Sequence, residues 1–306
     1  MAVSRQASLS AVKKAKQQSA YLLKAENAVA REVNVHLTGT RKALVELLAG
    51  RDPTAVTRGW TSARIAALSR DANDLLTAEY ASLSATVRAR LVEIGSTVGD
   101  NALATLRVLG DLAGSKKNFT GVGPTRALLH SIITTNPIQG APLSQWWQTQ
   151  KRGTQVAFRR EITLGMSRNE SLSQLVGRVA GNADSTGIMT ISTRNAEAIV
   201  RTAVNQIANQ AALETYKAAG AKFTEQFEFV ATLDERTTEE CEGFDGTVWN
   251  YDDPEAPIPP LHVNCRSTII PVINYEALDI PAPVEEDRQT VSEWRDAQGL
   301  PDRTND

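Results

Sequence analysis

Apolar residues recur every three or four positions along the first fifty residues, which is the spacing of one face of an α-helix. Residues 1–50 are therefore predicted to form one long helix or two stacked helices, with Gly39 as a kink or a cap. A break is expected at 50–54, because Pro53 disfavours helical backbone at the residue before it.

The same spacing returns over residues 60–109, where Ile65 and Leu68 begin a second apolar stripe. Gly95 and Gly99 are expected to divide this region. Each apolar stripe needs a partner, so the two helical regions are predicted to pack together as an αα-hairpin.

Glycines cluster in residues 110–124 and predict a loop, which also carries Lys116 and Lys117. A second helical block is expected after this loop. Its clearest helix is predicted over residues 195–219, and Gly220 is placed as the C-terminal cap of that helix.

After residue 225 the pattern changes to the alternation that is typical of β-strands. Three short strands are predicted, over 226–232, 247–249 and 266–273, and Asp245-Gly246 forms the turn before the second strand. Pro271 has no backbone N–H to donate, so the third strand is expected at a sheet edge. The predicted fold class is α+β: predominantly helical, with long N-terminal helices and a small β-rich C-terminal element.

Three regions follow from these boundaries. They are a long-helix region over 1–122, a domain of helices followed by the β-rich element over 123–275, and a tail over 276–306. Residues 281–306 hold seven acids, three bases and three prolines, a composition that predicts a tail with little core of its own. One amphipathic turn is expected in the tail as a docking element for a partner, formed by Val291, Trp294 and Leu300.

Composition and charge narrow the functional classes. The net charge of −2 does not mark the whole chain as a nucleic-acid binder. Residues 1–25 lack the continuous apolar run of a signal peptide, and no segment approaches the roughly 18 apolar residues of a membrane span. There are two cysteines, so a reducing, intracellular place of synthesis is expected.

The first 25 residues carry five basic side chains and no acidic one. The first acidic side chain is that of Glu26. A basic helix can contact DNA phosphates or an acidic protein surface, and a solvated helix face explains the same charges equally well. The candidate contact residues are Arg5, Lys13, Lys14, Lys16 and Lys24.

Both cysteines and one of the three histidines fall close together in the sequence, as Cys241, His262 and Cys265. His262 and Cys265 have the short loop spacing that is common among zinc ligands, and Cys241 can close the site from across a hairpin. Zinc takes four ligands, so the fourth would be Asp234, Asp245, a backbone group or water. The alternative is a metal-free buried cluster held by hydrogen bonds and packing.

Asp234, Arg236 and Thr237 follow directly after the first predicted strand. This sequence predicts an Asx-type turn that Thr237 caps. An ion pair from Asp234 to Arg236 or to Arg201 is expected to close the turn.

The C-terminal segment forms an ordered string that resembles the signature of the Mu F-like phage head morphogenesis family. The family pattern is D-x-R-T-C-x-x-C, then L-x-G, then P-P-x-H-x-x-C-R-C, and the upstream residues Arg201 and Thr202 are similar to its R-T-E element. The resemblance covers about residues 125–273. The matching positions are Asp234, Arg236, Thr237, Cys241, Gly246, Pro259, Pro260, His262, Cys265 and Arg266.

Three positions depart from the family pattern. Thr238 and Ser267 stand where the family often has cysteine, and Ala203 stands where glutamate is common. The resemblance therefore implies a zinc-like clip with three retained ligands, for which Asp234 is a candidate fourth.

The resemblance also implies a function. The chain is expected to be a minor head (minor capsid) protein of a tailed bacteriophage, acting in head morphogenesis at the portal and capsid and in DNA ejection. The expected partners are the portal protein, the major capsid or scaffold protein and double-stranded DNA, and no membrane partner is expected. The expected location is the virion, after assembly in the host cytoplasm.

Two other functional classes stay open at this point. One is a DNA-binding ejection protein that uses the basic residues of 1–25. The other is an enzyme acting on nucleic acid or NAD, with His262 or Arg201 at its centre. No second histidine or carboxylate cluster accompanies His262 in the sequence, so no catalytic residue is assigned and a non-enzyme is expected.

Overall fold

The computed structural model describes residues 2–50, 61–112, 122–183, 185–220, 224–276 and 290–300, and for residues 2–16 it describes the backbone alone. The helical part comprises α1 (Ala2–Ala49), α2 (Ser62–Leu112), α3 (Arg126–Thr135), α4 (Leu143–Ser167), α5 (Leu172–Ala180) and α6 (Ile188–Gly220). It is followed by β1 (Gln226–Val230), α7 (Glu239–Phe244), β2 (Val248–Asn250), β3 (Thr268–Val272) and α8 (Val291–Ala297). The predicted α+β class is confirmed, because helices dominate and one small sheet lies near the C-terminus.

The chain divides into two compact units. We name the first the clip unit, which comprises Met1–Glu26, Leu91–Gly140 and Arg201–Asp306. The second is the helical unit, which comprises Asn27–Arg90 and Ala141–Val200. The division into folding domains at 1–122, 123–275 and 276–306 stays a prediction.

In the helical unit, α1 and α2 pack as an antiparallel hairpin. Arg90 Nη2 lies 2.9 Å from Glu32 Oε1, and His36 Nε2 lies 2.9 Å from Glu79 Oε2. The expected cap at Gly39 is wrong, because α1 continues unbroken to Ala49, whereas the kink stays a prediction. The apolar stripes of both helices are buried at Val33, Leu37, Leu44, Leu68, Leu76 and Leu83.

In the clip unit, two glycines of α2 allow close packing and do not end the helix. A Cβ on Gly95 would lie 2.7 Å from Leu129 Cδ2, and a Cβ on Gly99 would lie 2.2 Å from Pro124 Cδ. Real Cβ atoms essentially never come this close to another heavy atom. The prediction that Gly95 and Gly99 divide the region is therefore wrong, since tertiary packing uses these glycines inside an intact helix.

The sheet of the clip unit has the strand order β2-β1-β3, and both pairs are antiparallel. Phe227 in the central strand lies opposite Trp249 of β2 and Pro271 of β3. Pro271 thus sits on an edge strand, as predicted. Buried and partly exposed side chains alternate along β1, so Phe227 and Phe229 lie completely buried on the same face of the sheet. This is the pattern of an antiparallel strand with one face against the core.

Helix α6 begins at Ile188, earlier than the predicted start near residue 195, and includes Gly220 as its last residue. Its asparagines bind the chain that enters β3. Asn205 Nδ2 donates to the Ser267 carbonyl over 2.9 Å, and Asn209 Oδ1 accepts from the Ile269 N–H over 3.1 Å. These buried hydrogen bonds fix the end of the Cys265-containing loop against α6.

Candidate metal centre

Two segments of the chain bring the three predicted ligands together in the clip unit. Cys241 lies in α7, and His262 and Cys265 lie in the loop that leads to β3. The Sγ atoms of the two cysteines are 3.7 Å apart, and His262 Nε2 lies 3.2 Å from Cys241 Sγ. All three ligand atoms lie within 4.8 Å of one another, with both thiols buried and the imidazole half-buried.

These distances fit the donor set of a zinc site. A tetrahedral zinc ion with Zn–S bonds of about 2.3 Å places its two sulfur ligands roughly 3.8 Å apart. A Zn–N bond of about 2.0–2.1 Å then places the nitrogen roughly 3.6 Å from each sulfur. The observed Sγ–Sγ separation of 3.7 Å matches the first value, and the Nε2–Sγ separation of 3.2 Å needs only a small adjustment of the imidazole.

The loop holds His262 in the tautomer that a metal ligand needs. His262 Nδ1 lies 3.0 Å from the carbonyl oxygen of Val263, and a carbonyl can only accept a hydrogen bond. The proton is thereby placed on Nδ1, which leaves the lone pair of Nε2 facing the thiols. A backbone carbonyl commonly orients a ligating histidine in this way.

The two thiols differ in acidity because one donates to the other. The pKa of Cys265 is lowered to about 5, chiefly because the Cys241 thiol donates to its sulfur, with help from backbone groups of Leu261 and Ser267. The pKa of Cys241 is raised by the same hydrogen bond and by burial. This hydrogen bond favours the thiolate form at Cys265, and the thiolate is the form of cysteine that binds zinc.

The two residues that depart from the family's cysteines lie beside these thiols. Thr238 is the N-cap of α7, and its hydroxyl accepts the Cys241 N–H over 3.4 Å. Hydrogen bonds from the side chains of Thr238 and Ser267 both lower the pKa of Cys241. Hydroxyl groups thus take the places of thiols around the site.

Asp234 is positioned by arginine and lies outside the cluster of three ligands. Arg266 donates two hydrogen bonds to its carboxylate, one of them from Nη2 to Oδ1 over 2.6 Å. This bidentate pair lowers the pKa of Asp234, and it occupies both oxygens that a metal would use. The second candidate, Asp245, accepts the Ala231 N–H over 2.8 Å and is likewise used by the fold.

The predicted Asx-type turn is present, with a different ion-pair partner. The Arg236 N–H donates to Asp234 Oδ1 over 2.8 Å, and the Asp234 N–H donates to the Thr237 hydroxyl over 3.2 Å. The expected pairing of Asp234 with Arg236 is a weak contact of 3.8 Å at an exposed side chain, and Arg266 is the main partner.

Arg201 binds a carboxylate that the sequence did not suggest. Its Nη1 lies 3.9 Å from Glu26 Oε2, and Glu26 is almost fully buried in α1. Burial raises the pKa of Glu26 to about 7, against the lowering effect of Arg201 and Arg266. The neighbouring Thr202 hydroxyl accepts the Asn264 N–H over 3.0 Å, so Thr202 supports the ligand loop.

The other motif positions shape the loops around the cluster. Pro259-Pro260 contains a cis peptide bond, and Gly246 takes a φ of +79°, which favours glycine. The Gly246 N–H donates to the Phe229 carbonyl over 2.9 Å and so attaches the turn after α7 to β1. Gln139 donates to the Leu261 carbonyl beside the ligand loop.

The C-terminal helix α8 completes the core beneath the cluster, which the sequence did not predict. Val291 is fully buried and packs with Phe229, Ala231, Cys241 and Cys265. The expectation that the tail contributes little core is therefore wrong for residues 291–297. The apolar Val291 and the T-x-x-E capping box of Thr290 and Glu293 were the available signals.

The basic N-terminal candidates are described only in part. The side chains of Arg5, Lys13, Lys14 and Lys16 lie outside the described residues, whereas Lys24 is exposed on α1. Among the helices that the structure describes, none combines the length and hydropathy that a membrane span requires.

Comparison with known families supports the sequence resemblance. Residues 156–270 match the family model described as phage Mu protein F like protein. The matched segment runs from within α4 to within β3 and contains all three ligands of the cluster. Neither the curated proteins nor the solved structures gave a match to the chain.

Proposed function

We propose that this chain, whose residues 156–270 match the phage Mu protein F like family, is a minor head protein of a tailed bacteriophage. In this proposal it acts in head morphogenesis at the portal and capsid. Its partners would be the portal protein, the major capsid or scaffold protein and packaged double-stranded DNA. It would be found in the virion after assembly in the host cytoplasm. The family match is the observation that carries the proposal.

The construction of the clip unit supports a role in binding partners. Asp234 and Arg266 hold the Asx turn, Thr202 holds the ligand loop, and Asn205 holds the chain entering β3. These contacts stabilise the loops around a small sheet. The proposal assigns no catalytic residue to the chain.

A zinc ion would strengthen this element if it is bound by Cys241, His262 and Cys265. It would supply a link between α7 and the loop before β3, two segments that otherwise meet through side-chain contacts. Asp234 is left out of the ligand set because Arg266 binds both of its oxygens. Elemental analysis of the purified chain tests this: about one zinc per chain is expected, and Cys241→Ser should lose it.

The proposed role is tested in the phage that encodes the chain. Disrupting its gene should lower the yield of infectious particles, and mass spectrometry of purified heads should detect the chain at low copy relative to the major capsid protein. Arg266→Ala, which removes the partner of Asp234, should reduce incorporation into heads. Arg236→Ala is the matched control, because its contact with the same carboxylate is long and its side chain is 79% exposed.

Absence of the chain from purified heads would contradict the proposal. The variant His262→Ala distinguishes the proposed role in head assembly from an enzymatic role. If that variant assembles infectious heads but loses a measurable nuclease or transferase activity of the wild type, the chain is an enzyme.

A further inference from the structure

The cluster offers zinc three protein ligands within the described part of the chain. Asp234 is bound by Arg266, and Asp245 accepts the Ala231 N–H. A closed structural zinc site normally has four protein ligands, whereas a site with three keeps a position for an exchangeable ligand. The donor set of this chain therefore corresponds to an open site.

A small cleft borders the cluster at Cys241 and His262. It is lined by Cys241 and His262 together with four hydroxyl side chains, among them Thr238 and Ser267, and two arginines. No carboxylate is among the residues that line it. Neutral hydroxyls are poor zinc ligands beside thiolate and imidazole, so they leave the position to a stronger donor.

The charge around the cleft favours an anionic donor. Arg236 and Arg266 line the cleft, and one carboxylate, that of Asp234, contacts both of them. This group of three side chains carries one positive charge in excess. Two cysteine thiolates already neutralise Zn²⁺, so a further anion would make the centre negative and would gain from this arginine charge.

We propose that zinc held by Cys241, His262 and Cys265 keeps its fourth coordination position open to this cleft and takes there a thiolate from outside the chain. Thiolate is the soft anionic ligand that zinc prefers and that a reducing cell supplies. In the exchange the zinc-bound water leaves, the incoming thiol releases its proton to solvent, and one Zn–S bond replaces one Zn–O bond. The inference rests on the zinc part of the proposed function and not on the role in head assembly.

Zinc X-ray absorption of the purified full-length chain tests the proposal. In thiol-free buffer the first shell should contain two sulfurs, one nitrogen and one oxygen. Addition of cysteine, the small thiol used as the probe, should change this to three sulfurs and one nitrogen. A shell that is unchanged by cysteine would overturn the proposal, because a group of the chain would then close the site.

Variants of the hydroxyl residues provide a second measurement. Thr238→Cys creates the C-x-x-C spacing with Cys241, and it should tighten zinc binding by about tenfold or more and abolish the response to cysteine. Ser267→Cys should do the same, and it tests the proposal independently if the Thr238 variant does not fold. Ser131→Cys is the matched control, because it adds a thiol at an exposed position of α3 outside the cleft. An equal gain in this control would contradict a specific fourth position.

Assembled heads distinguish the two sources of the thiolate. Three sulfurs per zinc in heads washed free of small thiols would assign the donor to a cysteine of a partner protein. Two sulfurs there, with three restored by added cysteine, would assign it to a small thiol. If the wild type binds no zinc, this inference is overturned while the proposed head role, which is measured by incorporation and infectivity, is unaffected.

Discussion

At the scale of single residues, Glu26 is a buried carboxyl of the clip unit whose pKa is strongly raised. Its side chain is only 7% exposed, and its ion pair with Arg201 spans 3.9 Å. Arg266 and Cys265 also act on it electrostatically. Because burial penalises the charged carboxylate more than the arginines favour it, the pKa of Glu26 rises from its ordinary value of about 4.5 to about 7.

This carboxyl should make stability depend on pH. The folded chain holds the Glu26 proton more tightly than the unfolded chain, so the free energy of unfolding should fall as pH rises from about 4.5 through about 7. The shift corresponds to an upper limit of about 3 kcal/mol. The variant Glu26→Gln should therefore unfold at a higher urea concentration than the wild type at pH 8. This difference in urea concentration should vanish near pH 5.

The control for this pH effect is Glu46→Gln, since Glu46 is 66% exposed on the same helix. The urea concentration at which this variant unfolds should equal that of the wild type at every pH. A constant gap between Glu26→Gln and the wild type from pH 5 to pH 8 would show that Glu26 keeps an ordinary pKa.

The order of the motif residues along the sequence predicted the three candidate ligands. It did not predict which side chains form hydrogen bonds and ion pairs around them. The ligand atoms of Cys241, His262 and Cys265 do lie together. By contrast, the Asp234–Arg266 pair depends on how the loop before β3 folds back over the turn after β1. Spacing in the chain cannot determine which of several arginines reaches one carboxylate, because that choice depends on tertiary structure.

At the scale of elements, the glycines of α2 allow neighbouring segments to pack closely against this helix. Gly99→Ala would place a Cβ 2.2 Å from Pro124 Cδ, so α2 or the chain before α3 must shift. The variant should lower the free energy of unfolding by about 1–3 kcal/mol, as overpacking does in well-packed cores. Urea denaturation measures this change.

The matched control is Gly243→Ala in α7 of the same unit, where a Cβ meets nothing within 4 Å. Alanine has the higher helix propensity, so this variant should leave stability unchanged or raise it by up to about 1 kcal/mol. Equal losses at Gly99 and Gly243 would contradict the packing explanation.

Helix α8 is a second element whose role can be measured. Val291→Ala should cost about 2 kcal/mol, because it removes two methyl groups that pack against Phe229 and the ligand cysteines. It should also increase the rate at which a maleimide labels Cys241 and Cys265. Ser292→Ala on the exposed side of the same helix should leave both measurements unchanged.

The sequence predicted elements well where one local pattern dominated, as in the two long helices and the three strands. It failed at Gly95 and Gly99, because a glycine that breaks a helix and one that admits a neighbour look the same in a single sequence. It also failed to place α8 in the core, because it predicted an amphipathic turn here as a docking element for a partner, whereas Val291 and Arg295 are buried within the chain itself. Burial of so short a helix depends on the core it covers.

At the scale of the whole molecule, the near-zero net charge conceals a strong separation of charge. Residues 1–224 contain 28 basic and 15 acidic side chains, whereas residues 225–306 contain 5 basic and 20 acidic ones. The C-terminal 82 residues should therefore repel polyanions, and the helical residues before them should attract them. A net charge of −2 does not argue against DNA binding by the N-terminal part.

This separation makes the proposed DNA contact of the N-terminal helix testable by its salt dependence. Each phosphate that is neutralised contributes about −0.9 to the slope of log K against log salt concentration. Changing Lys13, Lys14 and Lys16 together to Gln should therefore make the slope shallower by up to roughly 2.7, as measured by filter binding to a double-stranded DNA fragment. A triple variant of Arg31, Arg152 and Arg159 to Gln removes the same charge from exposed positions in the helical unit and should leave the slope nearly unchanged. If both triple variants make the slope shallower by the same amount, the excess positive charge of residues 1–224 attracts DNA without a dedicated N-terminal contact. If neither variant changes the slope, DNA is not a partner of this helix.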